Sequence, residues 1–131
     1  MAVGSYDWSF AEGLLKTVSE CLVEKTLAGL VVYDQPIRGP IGNAGERENP
    51  FGCAFVLQPD TTQSGICVLD ITYDATTTQQ DEVTHPDLMK LVPTNPAARA
   101  LPLLEKIASR TEGTVKMACL PGSLSIAVTP C

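Results

Sequence analysis

A single histidine limits what acid–base chemistry this chain can perform. His85 is the one imidazole in 131 residues, and Asp70 and Asp74 are carboxylates that could meet it. A carboxylate–imidazole pair drawn from these residues would serve as a general acid and base. The sequence spacing alone does not bring the three together, and Asp70 and Asp74 read equally as the solvent edge of a strand. Five cysteines, Cys21, Cys53, Cys67, Cys119 and Cys131, contain no Cys-x-x-Cys pair and fit neither a disulfide framework nor a four-thiolate zinc site. Four lie in apolar stretches, where a thiol behaves as a small hydrophobe, and no Lys or Arg cluster flanks them to lower a thiol pKa. They point to a reducing compartment. Gly39, Gly42 and Gly45 resemble a phosphate cradle, but no Lys-Ser or Lys-Thr pair follows and no helix opens behind them. The residue types therefore give no catalytic set, no metal site and no cofactor site. An enzyme pairing His85 with a carboxylate or a thiol remains the alternative.

Composition narrows the partners. Nine basic against 15 acidic residues give a net charge of −6, which argues against a nucleic-acid footprint, since phosphate neutralisation needs clustered Lys and Arg. No apolar run approaches the ~18 residues of a membrane span, and the first thirty residues show no secretory signal pattern. The expected location is the cytoplasm or a virion.

The elements predict a single α+β domain over residues 1–131, with two helices and an antiparallel sheet of about five strands in the order α-β-β-β-α-β-β. Ser9 and Glu12 form a capping box for a helix from Phe10 to Leu27, whose apolar stripe is Phe10, Leu14, Val18, Cys21, Leu22 and Leu27, with Gly29 as its left-handed cap. Leu30–Tyr33, Phe51–Leu57 and Ile66–Asp74 read as strands. A helical turn follows at 87–91. A second helix runs from Asn95-Pro96 to Arg110, where Pro102 kinks or restarts it, and Gly113 ends it. Val115–Cys119 and Leu124–Val128 close the chain as a hairpin, with Pro121-Gly122 at the centre of its turn.

Two segments are anomalous. Residues 34–50 hold Pro36, Pro40 and Pro50 with three glycines, and such long irregular loops are functional or disordered. Residues 75–95 open with Thr76, Thr77, Thr78, Gln79, Gln80, Asp81 and Glu82, too little apolar area to offset the entropy of ordering. Both are expected to settle only against a partner, with Arg38, Glu46, Arg47 and Glu48 of the first loop and Thr76, Thr77 and Gln79 of the second as contact residues. The partners are then other copies of the chain and a further structural protein, with no nucleic acid and no membrane.

The N-terminal helix leading into Leu30-Val-Val-Tyr-Asp-Gln-Pro, the Pro/Gly-rich loop, and the strand Pro50-Phe-Gly-Cys-Ala-Phe-Val resemble small phage tail-completion or terminator proteins. That resemblance implies a helix packed on an antiparallel sheet, subunits closing into rings, and loops that touch the tail tube or connector. It implies no catalytic residue. The element order is also similar to that of the small acidic chaperones of type III secretion, which bind an extended effector segment. The chain lacks their final helix and has a longer first loop.

Overall fold

The computed structural model describes residues 9–34, 50–62, 64–91, 96–119 and 121–131. Helix α1 spans Ser9–Glu24. It buries Phe10, Ala11, Leu14 and Cys21, with Leu15 and Val18 against the same core, because these residues recur at three- and four-residue steps. The helix stops three residues short of the predicted end. Lys25 takes the left-handed conformation (φ 55°) and the Cys21 Sγ donates to the Thr26 carbonyl at 3.1 Å, so the chain turns before another helical turn can form. Leu22 and Leu27, predicted on the buried stripe, are therefore exposed. Gly29 lies in the following strand instead of capping the helix. The side chain of Ser9 lies outside the described residues.

Strands β1 (Ala28–Asp34) and β2 (Phe51–Leu57) pair antiparallel, with Leu30 opposite Phe55 and Val32 opposite Cys53. Strand β3 (Cys67–Asp74) begins a second sheet with β4 (Gly113–Cys119) and β5 (Gly122–Pro130), in the order β3-β5-β4. The class is α+β as predicted. The single five-stranded sheet is not: hydrogen bonding divides the strands into a pair and a trio. The two sheets still share a core, because the inward faces of both strand sets converge on α1. Ile71, Ile126 and Val115 form one rung across the trio, while Phe55 of the pair meets Phe10 of α1 with ring centroids 5.8 Å apart.

Between β3 and β4 lie helix α2 (Pro86–Met89), a 3₁₀ turn (Pro96–Ala100) and helix α3 (Leu101–Ala108). Pro102 sits in the first turn of α3, where a missing amide costs no helical hydrogen bond, so it restarts the helix and does not kink it. Asn95 lies outside the described residues. Helix α3 ends through Arg110, again left-handed at φ 54°, and Gly113 opens β4. The closing turn also differs from expectation. Gly122 pairs with Cys119, which puts it within β5. A Cβ there would overlap the Asp74 carbonyl oxygen and lie 2.7 Å from the Ala75 Cα, so the glycine is required by the chain leaving β3 across it.

Two substitutions of opposite sign test these local causes. Gly122→Ala is expected to destabilise by about 1–3 kcal/mol through overpacking against backbone. Arg110→Gly is expected to stabilise by up to ~1 kcal/mol, because glycine escapes the left-handed penalty. Urea unfolding of the two variants measures both.

Candidate functional site

The structure gives Asp74 and His85 separate local tasks. The Asp74 carboxylate accepts from the Thr76 amide at 2.8 Å and from the Thr76 hydroxyl at 2.5 Å, and these bonds hold its pKa below the ordinary carboxylate value. Asp70 is exposed on β3. His85 caps α2: its Nδ1 accepts from the Asp87 amide at 3.2 Å. No hydrogen bond or ion pair among the described residues joins the imidazole to Asp70, Asp74 or a thiol. Burial pushes the thiols of Cys53, Cys67 and Cys119 upward, with nearby Cys131 and Glu12 adding to the effect at Cys67 and Cys119 respectively. A raised thiol is a poorer nucleophile at neutral pH. Among the described residues no group of three or more His, Cys, Asp or Glu side chains is placed to hold a metal ion.

Glu105, not singled out by the sequence, organises the segment around His85. Its carboxylate accepts from the Thr84 amide (2.9 Å), the Thr84 hydroxyl (3.0 Å) and the His85 amide (3.1 Å). These donors, the Thr84 amide first, lower its pKa. Its only sequence signal is an acid on a short helix, which nothing separates from an ordinary solvated glutamate.

The threonine-rich segment also departs from expectation. It makes its contacts within its own chain. The Thr78 hydroxyl donates to the Pro121 carbonyl at 2.7 Å, and the buried Ser123 hydroxyl donates to the Thr77 carbonyl at 3.0 Å. Further along, the Asp81 amide donates to the Lys116 carbonyl at 2.8 Å, and the Asp81 carboxylate takes the Lys116 amide at 3.0 Å. The Gln80 side-chain oxygen takes the Ala118 amide, also at 3.0 Å. The segment is a strap along the outer edge of β4. Polar residues short of apolar area find hydrogen-bond partners on a strand edge that itself needs them. Of the predicted contact residues, Thr76 serves the Asp74 turn, Thr77 supplies a carbonyl to Ser123, and Gln79 is exposed. Arg38, Glu46, Arg47 and Glu48 lie outside the described residues.

A second surface is the outward face of the β1–β2 pair. The inward positions Leu30, Val32, Phe51, Cys53, Phe55 and Leu57 belong to the core. Outward positions are Gly29, Val31 and Tyr33 against Val56, Ala54 and Gly52, none of them charged. Val31 is 68% exposed, Tyr33 73% and Val56 78%. Each cross-strand pair sets one large residue against one small one. The signal was present in the sequence: Phe51–Leu57 has no polar alternation, which reads as a strand covered on both sides, yet one side is open. Beside β1 runs a groove of about 600 Å³, walled by α1 residues Gly13, Lys16, Thr17, Glu20 and Glu24 and by β1 itself.

Compared with protein-family models, curated proteins and solved structures, the chain has no significant match to any. No helix among the described residues is long and apolar enough to cross a membrane.

The role of Glu105 predicts a pH dependence. Because its folded pKa is depressed, the anchor contributes fully above the ordinary carboxylate value and is lost as pH falls through the lower folded value. Glu105→Gln should therefore lower the exchange protection of the Thr84 and His85 amides at neutral pH and flatten the fall of that protection in acid. Parallel loss of protection in wild type and variant on acidification would refute the anchor.

Proposed function

We propose that this chain is a non-enzymatic, self-associating structural subunit, of the sort that completes or joins a phage tail, with the outward face of the β1–β2 pair as its contact surface. The observation that carries this reading is that face: uncharged at every outward position, with Val31, Tyr33 and Val56 mostly in water. Contiguous exposed apolar surface on a soluble domain marks an interaction site. Its alternating large and small side chains offer knobs and recesses, as a packed interface requires. His85 caps α2 and Asp74 holds its own turn, and the carboxylate that meets the His85 segment is Glu105, which accepts from the His85 amide.

Native mass tests the proposal. The wild type is expected at a multiple of 13.9 kDa, and Val31→Glu with Val56→Glu at the single-chain mass. Both sites are exposed, so the fold should lose no more than about 0.5 kcal/mol per site. A wild type that stays monomeric at every concentration would overturn the proposal and reopen ligand binding and catalysis.

A further inference from the structure

The strand edges of this molecule are treated unequally. The outer edge of β4 is occupied by Gln80 and Asp81, which take the Lys116 and Ala118 amides and give one to the Lys116 carbonyl. The outer edge of β1 receives no strand and no other backbone hydrogen bond among the described residues. It faces the groove beside α1, and residues 28–33 line that groove along their whole length. An unpaired edge is a template for another strand, and alternate residues along it present amide and carbonyl groups that need partners. Neither β2 nor β3 lines the groove. The β3 strand carries exposed Asp70 at mid-strand, so pairing β3 with its own copy would bring carboxylates together, which is unfavourable.

From these observations we infer that β1 pairs antiparallel with β1 of a second copy across a two-fold axis, joining two hairpins into one four-stranded sheet, β2-β1-β1-β2. The edge accommodates a second copy because nothing along it is charged and its side chains alternate in size. The chain carries a net charge of −6, so two copies repel unless the contact lies where charge is absent, and Ala28–Tyr33 has no ionisable side chain but the tyrosine phenol. With Val31 on the axis, Tyr33 falls opposite Gly29 and Leu30 opposite Val32, while Asp34 falls opposite Ala28, away from its own copy. A ring over glycine repeats the large-on-small pairing that Tyr33 and Gly52 already make within the hairpin. Two-fold pairing also satisfies both open edges at once, as an isologous contact must. Two α1 walls then face each other, each with Lys16 bridged to Glu20 of its own helix at 3.9 Å and Glu24 beside them. The outward face of the joined sheet stays uncharged and apolar.

This inference rests on the self-association proposed above, and the experiment separates the two. Amide exchange is followed at residue resolution from dilute to concentrated protein, together with native mass. The expected result is that alternate amides of residues 28–34, those pointing away from β2, slow by ~10-fold or more on concentration, equivalent to about 1.4 kcal/mol, while β4 amides do not change. In a Cys131→Ser background, Val31→Cys should cross-link between chains under mild oxidation with diamide, since directly opposed residues bring Cβ atoms ~4.5–5.5 Å apart. Ala54→Cys, on the far strand, should not. If the protein associates while β1 exchange is independent of concentration, or if Ala54→Cys cross-links and Val31→Cys does not, the edge pairing is overturned and self-association stands. A monomer at every concentration overturns both.

Discussion

A strand edge is a row of hydrogen-bonding groups that must be paired or left in water, and much of this molecule is organised by how its edges are met. Strand β5 has no edge problem, because β3 and β4 flank it; it carries Leu124, Ile126 and Val128, all buried, at the centre of the core. Strand β4 has one free side, and the chain spends the polar segment after β3 on it. That segment has to pass Gly122 to reach the β4 edge, which is why no Cβ is tolerated there. The turn at Asp74–Thr76, the Ser123–Thr77 bond and the Asp81 and Gln80 contacts are successive fastenings of one strap. Side-chain oxygens of Asp and Gln stand in for the carbonyls of a missing strand. A real strand would bring side chains needing cover on both faces, whereas the strap needs almost none.

The class of fold was legible because its strongest signals are local. Phe10, Leu14, Val18 and Cys21 keep a helical period and lie against the core, as do Cys67, Leu69 and Ile71 of the strand period, while Tyr73 at its end is exposed. Element ends were less legible. Helices α1 and α3 both stop on a left-handed basic residue, Lys25 and Arg110, while glycines three or four residues further on looked like better caps. Both residues are exposed, and local bonds, from the Cys21 thiol to the Thr26 carbonyl and from the Arg110 amide to the Ile107 carbonyl, accompany a conformation their own preferences oppose. The division into two sheets was illegible for a related reason. Alternation tells which face of a strand is buried and says nothing about which neighbour it bonds.

The polar segments show the same limit more sharply. Composition marks 75–82 as poor in apolar area, and from that follows the expectation that a partner orders it. The partner is the edge of β4 in the same chain, more than thirty residues on in sequence. Glu105 was invisible for the converse reason: its three donors come from Thr84 and His85, some twenty residues away, and nothing on its own helix distinguishes it. His85, which composition made conspicuous as the sole imidazole, caps the start of a four-residue helix. Rarity in a sequence marks where chemistry is possible and not where it is assembled.

Charge then decides which surface is left for company. At physiological salt the Debye length is about 8 Å, so repulsion between two copies bearing −6 each depends on which charges meet and far less on the total. The outward face of the β3-β5-β4 sheet carries Asp70 and Lys116, and the strap carries Asp81 and Glu82; two copies meeting there would desolvate those ions. The outward face of the β1–β2 pair asks for no ion to be desolvated and holds the large side chains that gain from leaving water. Covering a residue such as Val31 or Val56 is worth roughly 1.5–3 kcal/mol when complete, and less here because each is already partly covered. The same side of the molecule presents the open edge of β1. Among the described residues, the outward face of this hairpin is a surface on which two acidic copies could meet without bringing their ions together.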